Sequence, residues 1–220
     1  MLIAGILGSE GKLQTAGIIS SILSSKGEKV SVLDSATLLG MDGNRLKAYI
    51  SELEKNNVDL LLLKTELSDI DNFLSEEVKF DILIYTDKAD DSDIPDDNEY
   101  SRKFGQIFSR MNEKGIAIVN VDDCELIKLL QGMKYRFVTY GFNTKASVTT
   151  SSIGDSVYKD GFICCLQRSI SARDGKVVEP QEYKLHFEGG ELDSHNLLAA
   201  ASFAIVNGID LNNLNENLTM

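Results

Sequence analysis

The strongest constraint on this chain is its first stretch, Met1-Leu-Ile-Ala-Gly-Ile-Leu-Gly-Ser-Glu-Gly-Lys12, which continues through Leu13-Gln14-Thr15. An apolar run, then glycines at Gly5, Gly8 and Gly11 and a lysine, lead into a segment without proline whose next glycines are Gly17 and Gly27. This is the order strand, tight loop, helix, as in a phosphate-binding loop. There the glycines let backbone N–H groups close on phosphate oxygens, the lysine bridges the outer phosphates, and a Ser or Thr directly after it holds Mg²⁺. Gly8, Ser9, Gly11, Lys12 and Leu13 are the candidate nucleotide-binding residues.

The loop departs from the strict pattern G-x-x-x-x-G-K-[ST] at two positions. Ile6 stands where a glycine is required, and Leu13 stands where the hydroxyl should be. Thr15 does not replace that hydroxyl, because two steps along a helix turn a side chain through roughly 200°. Glu10 adds a negative charge inside the loop. Two like charges about 4 Å apart repel by about 1 kcal/mol in water and about 4 kcal/mol near a protein surface. The scaffold of a nucleotide site is therefore expected, with Mg²⁺ binding weakened.

With 220 residues, 43% hydrophobic and 25% charged, the chain can bury one sizeable core and is expected to form one domain. A formal net charge of −12 argues against a nucleic-acid or anionic-membrane surface as the main partner. Acids concentrate at Asp87, Asp90, Asp91, Asp93, Asp96, Asp97 and Glu99. Without a Gly-punctuated calcium-loop pattern, this run is expected to be a solvated loop and not a metal site. The three cysteines, Cys124, Cys164 and Cys165, suit a reducing cytoplasm, and adjacent Cys164 and Cys165 should face opposite sides of a strand. No signal peptide or transmembrane helix is indicated.

Apolar runs and helical rhythms alternate through the first two thirds. Strands are expected at Leu2 to Leu7, Lys29 to Asp34, Val58 to Leu63, Phe80 to Thr86, Gly115 to Val121 and Tyr135 to Tyr140. Helices are expected at Lys12 to Lys26, Gly43 to Asn57, Ser68 to Ser75 and Asn98 to Asn112, with a short one capped by Asp122-Asp123 and reaching Gln131. This alternation predicts an α/β, three-layer fold with a mainly parallel sheet of phosphate-loop type. Asp34 occupies the place of a Rossmann ribose-binding acid, but the glycine spacing is G-x-x-G-x-x-G, so a dinucleotide site is the weaker alternative. From Ala146 to Phe187 the Gly154-Asp155, Lys159-Asp160-Gly161 and Arg173-Asp174-Gly175 breaks predict a small antiparallel β-meander. A closing helix should start near Asp193-Ser194, bury Leu197, Leu198, Ala201, Phe203, Ile205 and Val206, and stop at Asn207-Gly208. The expected organisation is a parallel core over 1–142, a meander over 143–190 and the closing helix over 191–209.

Several separated stretches together resemble one family. Gly5-Ile-Leu-Gly-Ser-Glu-Gly-Lys-Leu-Gln-Thr15 is similar to the Gly-Ile-Thr-Gly-Thr-Asn-Gly-Lys-Thr-Thr-Thr loop of the Mur ligases and their folylpolyglutamate synthetase relatives. Gly115 to Asp123 resembles their strand ending in Asn-x-Asp-Asp, and Val138-Thr-Tyr-Gly141 resembles the strand that follows. Gly190 through His195-Asn196 to Gly208-Ile209 resembles their Gly-x-His-Asn-x-x-Asn-x-x-Ala-Ala segment.

The resemblance implies the central domain of an ATP-dependent amide ligase, in which ATP phosphorylates a carboxylate and an amine attacks the acyl phosphate. Lys12 would then clamp phosphates, and His195 and Asn196 would lie near the adenine. The departures bear on the same chemistry. Leu7, Leu13 and Gln14 replace loop threonines, and Glu10 replaces an asparagine. Lys64 takes the place of a metal-ligand glutamate, with Glu66 nearby, and the family's Thr-Asn is Thr86-Asp87. The Asp-His-Leu-Asp histidine has no counterpart in Asp90-Asp91-Ser92-Asp93, and the second Asn of the closing motif is Ala199. Lys64 could neutralise a nearby acid, or stand in for Mg²⁺ by pairing with Glu10.

The family's N- and C-terminal ligase domains are expected to be absent, which would leave an acyl phosphate open to water. Two functions fit these residues. One is a non-catalytic binding or scaffolding protein linked to cell-wall metabolism. The other is an ATP-binding ligase subunit that takes the missing domains from a protein partner.

Overall fold

Alternation along the strands decides the architecture. The computed structural model describes residues 1–38, 41–67, 70, 78–87, 97–151, 161–188, 192–214 and 218–219. Strands β1 (Leu2–Leu7), β2 (Val30–Asp34), β3 (Leu60–Thr65), β4 (Phe80–Tyr85), β5 (Met111–Asn120) and β6 (Arg136–Tyr140) pair in parallel. Strands buried on both faces need apolar residues at successive positions, and β1, β3, β4 and β5 supply them. Ala4, Ile6, Leu60, Leu62, Ile82, Ile84, Ile116 and Ile118 face one side, against helices α1 (Gly11–Ser25) and α6 (Ser194–Val206). Leu61, Leu63, Leu83, Tyr85, Ala117 and Val119 face the other. That side is covered by α3 (Gly43–Lys55), α4 (Asp97–Phe108) and α5 (Cys124–Leu129), while α2 (Ser35–Leu38) is one short turn after β2. Fully burying each such aliphatic side chain contributes about 1.5–3 kcal/mol, so both layers are strongly held.

Helix ends follow local chemistry. The Asp42 side chain caps α3 by accepting from Arg45 N at 2.9 Å, and Asp193 caps α6 by accepting from His195 N and Asn196 N. The expected burial of Leu197, Leu198, Ala201, Phe203, Ile205 and Val206 holds throughout α6. Gly208 ends that helix with φ +73°, a conformation that favours glycine.

Three expectations are corrected. Met111, assigned to the end of a helix, lies opposite Phe80 at the start of β5. Between Phe80 and Ile82 the β4 strand advances two residues while β5 advances five, from Met111 to Ile116, so a bulge absorbs the polar segment that reads as a helix end. The third strand runs from Leu60 to Thr65, later than the expected start at Val58, and Asp123 alone caps α5, which stops at Leu129. The antiparallel strands β7 (Val148–Thr150), β8 (Phe162–Leu166) and β11 (Gln181–Leu185) form the expected meander. They extend the main sheet to nine strands in the order β11-β8-β7-β6-β5-β4-β1-β3-β2.

Two pairs of short strands complete the described chain, the hairpin β9 (Ile170–Ser171) with β10 (Val177–Val178), and the parallel pair β12 (Phe187–Glu188) with β13 (Leu218–Thr219). Cys164 is buried and Cys165 is half-buried, as alternation along β8 requires. The expected helix at Ser68 to Ser75, the acidic segment 88–96 and the Gly154-Asp155 turn lie almost wholly outside the described residues. No helix among the described residues is long and apolar enough to cross a membrane.

Candidate functional site

The loop between β1 and α1 opens at the carboxyl ends of the central parallel strands, where ligands bind in open α/β sheets. Gly8 has φ +149°, and a Cβ there would overlap the Thr86 hydroxyl and the Asp87 carboxylate. A Cβ on Gly11 would come within 2.9 Å of Asp87 Oδ1 and 2.8 Å of Asn196 Oδ1. Gly8 is thus required by its positive φ and the close approach of Thr86, independently of any ligand, whereas the crowding at Gly11 comes from the ends of the Asp87 and Asn196 side chains. Glu10 precedes α1 in a helical conformation and gives no side-chain cap, while Leu13 N donates to Glu10 O at 3.1 Å.

Asp87 lies directly on this loop. Its Oδ1 accepts from Ser9 N at 3.1 Å and from the Thr86 hydroxyl at 2.6 Å, and its Oδ2 is hydrogen-bonded to the Ser9 hydroxyl. The turn that presents it is pinned from both sides. Thr86 N donates to Leu7 O at 2.9 Å, and the buried Tyr140 hydroxyl donates to Tyr85 O at 2.9 Å. Burial pushes the Tyr140 phenol well above its ordinary value, and the surrounding Asp87, Asp193, Asp122 and Asp123 carboxylates push the same way, so it remains a neutral donor.

Lys12 is buried at 7% exposure, and its ammonium is paired with the Glu66 carboxylate just beyond β3. Glu66 is itself tethered, its N–H donating to Ser35 Oγ at 3.3 Å. The proposed pairing of Lys64 with Glu10 is not what the structure contains. Lys64 Nζ lies 3.0 Å from Asp34 Oδ1, because Lys64 and Asp34 are register partners on adjacent parallel strands. The same pairing places a lysine on Asp34 Oδ1.

The closing-helix pair divides. Asn196 faces the loop helix: its Nδ2 donates to Gln14 Oε1 at 3.0 Å, and its Oδ1 lies 3.4 Å from the Thr15 hydroxyl. Thr15 is buried against α6 and offers no hydroxyl at position 13, where Leu13 is 56% exposed. His195 instead turns towards Asp122, with Nε2 3.0 Å from Oδ2, and its ring packs on Phe142 with centroids 4.3 Å apart. Asp122 also accepts from Phe142 N at 2.6 Å and Asn143 N at 2.9 Å. Burial works to raise the Asp122 carboxyl, but the bonds from Phe142, His195 and Asn143 together outweigh it and hold the carboxyl below its ordinary value.

In the sequence Asp122 reads as a helix cap, and Tyr140 and Phe142 carry no functional signal. The available signal for the Asp122 clamp is Gly141, whose added Cβ would meet Asp122 Oδ2 at 2.6 Å. Among the described residues no group of three or more His, Cys, Asp and Glu could hold a metal ion.

Known proteins share this fold. The family model described as Mur ligase middle domain matches residues 6–204. A UDP-N-acetylmuramate--L-alanine ligase from Syntrophotalea carbinolica is 27% identical over 166 residues, covering 74% of this chain and 33% of the relative. A solved UDP-N-acetylmuramoyl-L-alanyl-D-glutamate--2,6-diaminopimelate ligase superposes with a TM-score of 0.70 at 17% identity, covering 97% of this chain and 45% of that one. The MurF ligase from Thermotoga maritima, solved in complex with ADP, gives a TM-score of 0.59 at 19% identity, covering 97% and 47% respectively. The chain thus spans between a third and a half of the length of these relatives.

Proposed function

This chain belongs to the Mur ligase middle-domain family, and from that premise we propose that its nucleotide loop is closed by the protein's own carboxylates. On this reading it is a binding or scaffolding protein linked to cell-wall metabolism that does not catalyse ligation by itself. The observation that carries it is Asp87, which takes the Ser9 N–H and hydroxyl that a phosphate would need. Lys12 is likewise committed to Glu66, and Leu13 offers Mg²⁺ no oxygen. An incoming polyphosphate would have to displace both carboxylates and then sit beside them and Glu10 at close range. As they stand, the residues present do not fit Mg-ATP.

The family link makes cell-wall ligase substrates the appropriate test compounds. ADP release should be followed with ATP, Mg²⁺, UDP-N-acetylmuramate and L-alanine. The proposal expects no release above the protein-free control, and release that disappears in Lys12→Ala would overturn it. The second reading, an ATP-binding subunit completed by a partner chain, is favoured by the retention of Gly11 and Lys12 at the start of α1. Asp87 and Glu66 would then have to turn away on binding, with His195 and Asn196 beside the adenine. The three free thiols suit a reducing cytoplasm under either reading.

A further inference from the structure

The end of the sheet opposite the loop carries a cavity of about 440 Å³. The six residues of β1 separate it from the loop by about 20 Å. Its lining is mostly polar, and Leu23 of α1, Leu60 of β3 and Phe203 of α6 lie buried behind it. Its rim is charged and of mixed sign. Glu28 follows α1, Asp59 leads into β3, Arg173 lies in the β9–β10 turn, and Asn207 ends α6.

The rim groups are partly held and partly unspent. Asp59 Oδ2 accepts from Lys29 N at 2.8 Å. Arg173 is fixed by its backbone N–H, which donates to Val206 O at 2.7 Å, and by Nε, which donates to Asn207 Oδ1 at 3.2 Å. The two terminal guanidinium nitrogens of Arg173 and the Glu28 carboxylate make no hydrogen bond or ion pair among the described residues. Glu28 sits above its ordinary pKa, first because partial burial of its carboxyl disfavours the charge and then because Asp59 is close, with Arg173 opposing both.

This mixture selects a ligand class. A simple anion would meet two carboxylates against one guanidinium, and a simple cation would meet Arg173. A ligand with both charges answers each: an ammonium relieves the Glu28–Asp59 repulsion, and a carboxylate takes the planar fork of Arg173. The volume lies within the ordinary range for small-molecule pockets, about 300–1,000 Å³.

We propose that this cavity binds a zwitterion of dipeptide size, with its ammonium between Glu28 and Asp59 and its carboxylate on Arg173. The site does not depend on whether the loop binds nucleotide.

The test is titration of the ¹⁵N-labelled full chain with L-alanyl-L-alanine, following the amides of Val58, Leu60 and Asn207. Saturable shifts are expected. Blocking the amino end by acetylation or the carboxyl end by amidation should each weaken binding about tenfold, the value of one charge-assisted contact. Arg173→Gln and Glu28→Gln, both at exposed rim positions, should each weaken it about fivefold to tenfold by the same reasoning. No shifts, equal binding of the blocked peptides, or unchanged affinity in both variants would overturn the proposal.

Discussion

The Lys12 ammonium is held by the Glu66 carboxylate across the cleft between the start of α1 and the end of β3. A loop lysine serves phosphates only when its charge is free to face them. Here it is neutralised at the mouth of the loop while Asp87 occupies the adjacent backbone N–H.

Asp87→Asn keeps an oxygen for Ser9 and removes the charge. ATP affinity should rise about tenfold or more, since 1.4 kcal/mol of relieved repulsion is tenfold. Equilibrium binding of a fluorescent ATP analogue to both proteins checks this, and equal affinity would show that Asp87 does not block the loop.

Leu13→Thr restores the missing hydroxyl at a position that is 56% exposed, so stability should change by no more than about 0.5 kcal/mol. In the Asp87→Asn background it should make nucleotide binding depend on Mg²⁺. The comparison is binding with Mg²⁺ and with EDTA in the double variant.

How much was legible beforehand divides by the range of the interaction. The parallel sheet, the loop glycines and the closing helix follow from apolar runs, turn residues and caps within a few positions of each other. Asp87 on Ser9, Tyr140 under Tyr85 and Asp122 on His195 join residues 78, 55 and 73 positions apart, and a single sequence carries no direct signal for such meetings. Lys64 shows the same limit: its charge was noticed, but strand register chose Asp34 as its partner. The β5 bulge was hidden because Met111 continues the apolar rhythm of α4.

Lys64→Glu places two carboxylates opposite each other on β2 and β3. Loss of the pair and the new repulsion should together cost about 1 kcal/mol, modest because Asp34 is 57% exposed. Asp34→Lys in the same chain should recover the melting temperature. Failure to recover would show that the pair itself is not what matters.

Asp122→Ala frees Phe142 N, Asn143 N and His195 at once, and should cost about 1–2 kcal/mol, reduced by partial exposure. Because the folded Asp122 carboxyl lies below its ordinary value, its stabilisation is fully present above about pH 4 and is lost as pH falls through the folded pKa. Denaturant unfolding of the two proteins should therefore converge in acid. A constant gap down to the lowest pH at which both fold would contradict the assignment.

Titration calorimetry of the purified chain with ATP, with and without Mg²⁺ and beside Lys12→Ala, reads out whether the protein's own carboxylates close the loop. No binding heat is expected at millimolar ATP in either condition. Micromolar, Mg²⁺-dependent binding that is lost in Lys12→Ala would contradict it and establish the loop as a working nucleotide site.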